Sequence, residues 1–119
     1  MDDKVNLAEK LARFDDAFQP RIVATYNDNK VQLAKTRGEF VWHSHPETDD
    51  LFLVVAGHLT IQLRDRDVEL GPGELYVVPR GVEHCPRADP EAHVLLIEPL
   101  GTPNTGDSSE REAAAEERI

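Results

Sequence analysis

The chain has a single cysteine, Cys85, in 119 residues. An intrachain disulfide framework is therefore excluded, and the composition fits a reducing compartment. Basic residues are also scarce: 13 Lys and Arg stand against 23 Asp and Glu, for a formal charge of −10. Such a surface repels phosphate backbones and anionic lipid headgroups, so neither nucleic acid nor a membrane is expected as a partner. Long apolar runs are missing as well. The opening stretch MDDKVNLAEKLARF is charged throughout and lacks the apolar centre of a secretion signal, and no later run approaches the length of a membrane span. A cytoplasmic protein is the expectation. There is no internal repeat of a solenoid or propeller period, and the length suits one hydrophobic core.

What is present divides into three stretches. Leu7, Leu11, Phe14 and Phe18 recur at helical spacing, with Asn6 and Glu9 placed as the cap and third residue of a capping box, so residues 1–20 are read as a short N-terminal helix stopped at Pro20. From Arg21 the pattern changes to short runs of Val, Ile and Leu separated by turn residues. Strands are predicted over 21–26, 30–36, 39–45, 50–56, 59–64, 67–70, 74–78 and 92–98, within a barrel of residues 21–100. No helical pattern separates consecutive strands, which argues for antiparallel pairing and an all-β fold. Residues 101–119 are polar and acidic and read as a flexible or weakly helical tail. Leu51 to Ala56 is apolar at every position, so both faces of that strand must be covered. The outer cover is the opposite sheet, the N-terminal helix or a second subunit, and a homodimer is expected.

The chemistry-bearing residues fall between 38 and 98. His43 and His45 are two apart in a predicted strand, which sets both imidazoles on one face. A His-x-His pair alone is an ordinary surface feature; its neighbours give it another meaning. Asp49 and Asp50 follow at the start of the next strand, and Asp50 shares a face with Phe52 and Val54. A carboxylate aimed into an apolar interior needs compensation, and a metal cation supplies both charge and coordination. Both aspartates could instead cap the turn in solvent. Pro79-Arg80-Gly81 then forms a tight turn that delivers His84. Three imidazoles and a carboxylate form a mixed N/O donor set suited to Fe²⁺, Mn²⁺, Ni²⁺, Co²⁺ or Zn²⁺.

These residues stand in an order that resembles the cupin superfamily, in particular its small single-domain bacterial members of the cupin 2 type. The first cupin motif runs Gly, five residues, His-x-His, three or four residues, Glu, six residues, Gly. Here Gly38, His43-Ser44-His45, Asp50 and Gly57 follow that order, with four residues before His43, four before Asp50 and six before Gly57. The second motif is matched by Gly73, Pro79-Arg80-Gly81 and His84, with Ala88 in place of its asparagine. The resemblance implies a double-stranded β-helix, the jelly-roll or cupin barrel, with His43, His45, Asp50 and His84 at the metal-ligand positions. Aspartate is one methylene shorter than the usual glutamate, which leaves open a three-histidine site or one completed by Asp49. The family includes dioxygenases, sugar-phosphate isomerases and non-catalytic binding proteins, and small members like this one often carry labels resembling mannose-6-phosphate isomerase. What the resemblance implies is a divalent metal acting as Lewis acid or dioxygen-binding centre on a small organic molecule. The alternatives are a ligand-binding or sensing module without turnover and a metal-free structural dimer.

Other residues carry two readings each. His93 shares a face with Leu95 and Ile97 and is either a group behind the metal ligands or a structural histidine. His58 belongs at a hairpin tip, Cys85 is a buried or interface thiol, and Trp42 packs outside the pocket. Phe52, Val54 and Tyr76 are expected to line the barrel. Arg37, Arg64, Arg66, Arg80 and Arg87 form either an anion anchor or a solvated rim.

Overall fold

The computed structural model describes residues 3–119; Met1 and Asp2, part of the expected N-terminal helical stretch, lie outside the described residues. Its elements in chain order are α1 (Leu7–Leu11), β1 (Arg21–Tyr26), β2 (Asn29–Glu39), β3 (Asp50–Leu63), β4 (Asp67–Leu70), β5 (Leu75–Val78), β6 (His84–Pro99) and β7 (Glu117–Arg118). The strands join in the order β4-β3-β6-β2-β1-β7, with β5 on β3, and every pairing is antiparallel except β1 with β7. The result is the expected all-β jelly-roll barrel with a short helical appendage.

β3 and β6 run the length of the barrel and bend rather than stop. The stretches predicted as separate strands 50–56 and 59–64 are one strand, interrupted against β6 by register shifts between Val54 and Ala56 and between Gly57 and Leu59. The first half of β3 pairs with β5 and the second half with β4. A β-bulge lets one strand serve both walls by increasing its local twist. Gly57 makes the bend possible: its φ is 81°, and a Cβ there would sit 2.3 Å from the Glu91 carbonyl oxygen.

Three further expectations are corrected. The predicted strand 39–45 is absent after Glu39. Residues 40–45 run beside 81–86 with sparse bonds: Phe40 donates to Pro86, His43 and His84 exchange a pair, and Gly81 donates to His45. Pro86 has no N–H to supply the missing rung. The helix is five residues long, capped by Asn6 accepting from the Glu9 amide as expected. Phe14 and Phe18 lie beyond its end because β2 captures that segment, with Lys35 Nζ donating to the Phe14 carbonyl and the Phe18 amide donating to the Lys35 carbonyl. Finally, residues 101–119 pack on the barrel instead of trailing from it: β7 pairs with β1, Thr105 is buried, and Ile119 donates to Ile22.

Two apolar clusters hold these parts. Inside the barrel, Phe52, Val54, Leu59, Ile61, Val78 and Val94 pack together; outside, Leu11 and Phe14 cover Val23 and Leu33. Leu59 and Ile61 are fully buried, and truncating either to Ala costs about 2–5 kcal/mol in such a position. The polar end of the interior, beside Asp50 and His84, is where the site forms.

Candidate metal centre

The three histidines arrive from two segments that are tied to each other, the 40–45 stretch and the start of β6. His43 and His84 exchange backbone hydrogen bonds at 3.0 and 2.9 Å, and His45 accepts from the Gly81 amide, so the turn Pro79-Arg80-Gly81 is fastened to the His43–His45 segment. The ring centroids lie 4.3 Å apart for His43 and His84, 5.0 Å for His43 and His45, and 5.7 Å for His45 and His84. One ring nitrogen of each lies within 4.8 Å of one of each of the others. Period-2 alternation expected this convergence, although the segment that carries His43 and His45 is not a regular strand.

The tautomers of two of the rings follow from their partners. His43 Nδ1 is 2.8 Å from the Val41 carbonyl oxygen, and His84 Nδ1 is 2.9 Å from that of Val82. A carbonyl only accepts, so Nδ1 carries the proton in both rings and Nε2 is left as a lone pair, the orientation in which histidine ligates metals. Burial, with the neighbouring His84 second, pushes His43 down to about 4, and burial also lowers His84. Both rings are therefore neutral at physiological pH, as ligation requires.

Asp50 enters from the start of β3, 3% exposed, on the same face as Phe52 and Val54. Its Oδ2 is 3.3 Å from His45 Nε2 and 3.9 Å from His84 Nε2. Asp49 is exposed and turns away, accepting from the Arg80 amide at 2.9 Å as a turn cap.

A second carboxyl, Glu98, was missed by the sequence reading. β6 alternates, and the face of Val94, Leu96 and Glu98 points inward, whereas the reading above followed His93, Leu95 and Ile97. His93 is half-buried on the other face, bonded to Glu91 at 2.6 Å. Glu98 is 4% exposed and, with His45 and Asp50, forms a second group of potential ligand atoms within 4.8 Å of one another. Across the sheet it stands opposite Lys30. The Lys30 Nζ lies 3.7 Å from Glu98 but 2.7 Å from Glu116 and 2.9 Å from the Thr102 carbonyl oxygen. With the lysine drawn toward Glu116, burial first and Asp50 second push the Glu98 carboxyl up to about 9.

Among the described residues, the buried side-chain polar atoms left without a hydrogen-bond partner include His45 Nε2, His84 Nε2 and Asp50 Oδ1. Three orphans from separate segments meeting at one place would each cost free energy in a finished interior. A divalent cation satisfies all three at once, and these residues fit one.

A cavity opens beside this group, with Phe18, Phe40, Phe52 and Leu96 among its walls and His43, Asp50 and Glu98 at its polar end. Phe18 and Phe40 stack at 4.8 Å between centroids. The arginines expected as either anchor or rim lie away from this cavity: Arg37 pairs with Glu91, Arg64 stacks on Trp42, and Arg87 reaches Asp67. His58 is exposed and pairs with Glu69, and Cys85 is buried with its thiol raised to about 11 by burial.

Residues 29–98 match the cupin domain family Cupin_2. The uncharacterized protein YdbB of Bacillus subtilis (strain 168) is 36% identical over 77 residues, which are 64% of this chain and 68% of that protein. Among solved structures, a cupin-2 domain containing protein from Shewanella frigidimarina NCIMB 400 is 44% identical with a TM-score of 0.79, over 80% of this chain and 93% of that one. Protein NMB1881 from Neisseria meningitidis is 30% identical with a TM-score of 0.75, over 82% of this chain and 99% of that one.

Proposed function

This chain belongs to the cupin domain family, and from that premise we propose that it is a metal-dependent cupin in which His43, His45, His84 and Asp50 hold one divalent ion beside a pocket for a small organic molecule. The observation that carries the reading is the meeting of three unpartnered buried atoms, His45 Nε2, His84 Nε2 and Asp50 Oδ1. Iron, manganese, nickel, cobalt and zinc all suit two or three imidazoles with a carboxylate. An ion held there would supply Lewis acidity or a dioxygen-binding centre. The chain's own residues do the rest. Val41 and Val82 fix the ring tautomers. The apolar walls exclude water, and Glu98 sets a second carboxyl at the pocket's polar end.

A non-catalytic binding role has one observation in its favour. Residues 101–119 pack beside the cavity, with Asn104 among its lining residues, which gives a narrow site suited to holding a ligand. Turnover screens against metal-loaded protein separate the two readings.

The partner we propose is a second copy. On the outer face of the sheet Val77, Leu51 and Ile97 form one cross-strand row and Leu75, Leu53 and Leu95 the next. The β2 side of this face is covered by α1 and Ile119, while Leu75 and Val77 are left 57% and 39% exposed. Burying such rows is the normal use of an exposed apolar face.

The test of the metal reading is elemental analysis of untagged protein, wild type beside His45→Ala and Asp50→Ala. Wild type is expected to carry close to one transition metal per chain and His45→Ala to lose it. A wild type that stays empty after exposure to each of these metals contradicts the reading.

A further inference from the structure

Glu98 has a place in the pocket that a centre of three histidines and Asp50 leaves without a task. It stands on β6 opposite Lys30 of β2, and it lines the cavity together with His43 and Asp50. At 4% exposure it is as buried as His45, and its carboxylate offers an oxygen within 4.8 Å of a ligand atom on both His45 and Asp50, the spacing that also groups the three imidazoles. His45 belongs to both groups. A neutral imidazole has one lone pair to give, so His45 serves one ion, and the two groups describe a single centre. Asp50 ties them together, with its Oδ2 3.3 Å from His45 Nε2 and 3.9 Å from His84 Nε2.

Charge leads to the same residue. A buried ion is tolerated where neighbouring charges of opposite sign balance it. Lys30 already has its counter-charge: its Nζ is 2.7 Å from Glu116 and 3.7 Å from Glu98. Histidine ligates in its neutral form, so a divalent ion on three imidazoles and Asp50 alone keeps one positive charge unmatched. The cavity's two carboxyls are Asp50 and Glu98, and Glu98 is the one placed to supply the second negative charge. In metal-free protein burial and Asp50 favour its protonated form. A cation beside it reverses that balance, because ligand carboxyls give up their protons as metal binds.

We propose that Glu98 is a fifth protein ligand, so that the ion sits among three imidazoles and two carboxylates, and that the second carboxylate shifts the site's preference toward Mn²⁺ relative to Zn²⁺. The proposal rests on the metal reading above and adds a donor that lies outside the motif spacing. Carboxylates suit Mn²⁺, whereas Zn²⁺ is satisfied by four donors. Five protein donors leave one position of an octahedral ion open, enough for a molecule that binds through a single atom.

The test compares wild type, Glu98→Gln and His45→Ala as full-length protein. Glutamine keeps the shape of a protonated Glu98 and a donor toward Asp50 while removing the negative charge, so a Glu98 that only partners Asp50 loses little by the change. Chelator competition is expected to show Mn²⁺ affinity falling more than about a hundredfold in Glu98→Gln, beyond the roughly 10–100-fold that a group behind the ligands costs. Zn²⁺ affinity should fall by a smaller factor. Ligation is read directly, and without any variant, by electron–nuclear double resonance of Mn²⁺-loaded wild type whose glutamates carry a ¹³C side-chain carboxyl. Asp50 is unlabelled, so a ¹³C coupling of the strength of a bound carboxylate, lost in Glu98→Gln, comes from Glu98. A wild type without that coupling, a coupling that survives in Glu98→Gln, or equal losses of Mn²⁺ and Zn²⁺ affinity overturns the proposal. The metal reading then still stands if wild type holds metal and His45→Ala does not. A wild type that binds neither ion contradicts both.

Discussion

Asp107 holds Ser44 at three points. One carboxylate oxygen accepts from the Ser44 amide at 2.7 Å, the other accepts from the Ser44 hydroxyl at 2.9 Å, and the Asp107 amide donates to the Ser44 carbonyl at 3.0 Å. Ser44 is the residue between His43 and His45. The preceding Gly106 lies so close that a Cβ there would stand 2.3 Å from the Ser44 carbonyl oxygen and 2.9 Å from His43 Cδ2. The C-terminal segment therefore fixes the backbone that aims two of the proposed ligands. The hydrogen bonds from Ser44 also hold the Asp107 carboxyl below the usual carboxylate range.

Asp107→Ala is expected to weaken metal affinity by about tenfold or more, the usual effect of removing a group that orients ligands. Asp107→Asn, which keeps one acceptor, should recover part of the loss. Competition titration with a chromophoric chelator reads both variants. Equal affinity in Asp107→Ala and wild type would detach the C-terminal segment from the site.

Lys30 is the other fastener of that segment, through Glu116 and the Thr102 carbonyl. Lys30→Met should release residues 101–119 and speed tryptic cleavage at Arg111 several-fold, with the barrel remaining intact. Mass spectrometry of timed digests follows this. An unchanged rate of first cleavage would mean that β7 and Asp107 suffice to hold the segment.

The candidate ligand residues were legible because their spacing is a local property. Gly38, His43, His45, Asp50, Gly57, Gly73, Pro79, Gly81 and His84 stand in the right order whatever the barrel does around them. Glu98 was not, because alternation in β6 gives two faces that each hold apolar residues and one titratable group, His93 or Glu98, and only the packing of the barrel, which buries Glu98 and leaves His93 half-exposed, shows which face is inside. The C-terminal segment was illegible for a similar reason. Its polar residues find partners far away, Glu116 at Lys30 across 86 positions and Asp107 at Ser44 across 63, so a composition that reads as solvated tail packs as part of the fold. The last strand is predicted over 92–98, whereas β6 starts at His84 and accommodates Pro86 and Pro90.

In metal-free protein the buried carboxyl and the buried imidazoles act on stability in opposite directions. Glu98 is raised from 4.5 to about 9, so the folded state keeps a proton that the unfolded state releases; its contribution is complete below 4.5 and is lost as pH rises toward 9. His43 is lowered from 6.5 to about 4, so its contribution is complete above 6.5 and is lost as pH falls toward 4. Between about pH 7 and about pH 8.5 the Glu98 effect stands alone of these two. Urea unfolding in the presence of chelator should show wild type losing about 2 kcal/mol across that interval, at about 1.36 kcal/mol per pH unit, and Glu98→Gln should remove most of the slope. A wild-type stability that is flat over the interval would place an ionised Glu98 beside Lys30.

The proposed dimer face predicts a particle of twice the 13.3 kDa chain mass by light scattering. The paired substitution of Leu75→Glu with Val77→Lys, on the exposed side of β5, should yield monomers that retain metal. A wild type that stays at one chain mass at micromolar concentration contradicts the second-copy reading.

The proposed centre has three imidazoles meeting on one ion through their Nε2 atoms, and Co²⁺ reports that meeting by paramagnetic shift. Proton NMR of the protein with one equivalent of Co²⁺ should show strongly shifted imidazole N–H resonances. Those of His43 and His84 should exchange slowly with water, because their Nδ1 protons are held by the Val41 and Val82 carbonyls. His45→Ala should abolish or disperse the pattern. A Co²⁺ spectrum with no shifted imidazole N–H, or one unchanged in His45→Ala, would contradict the account.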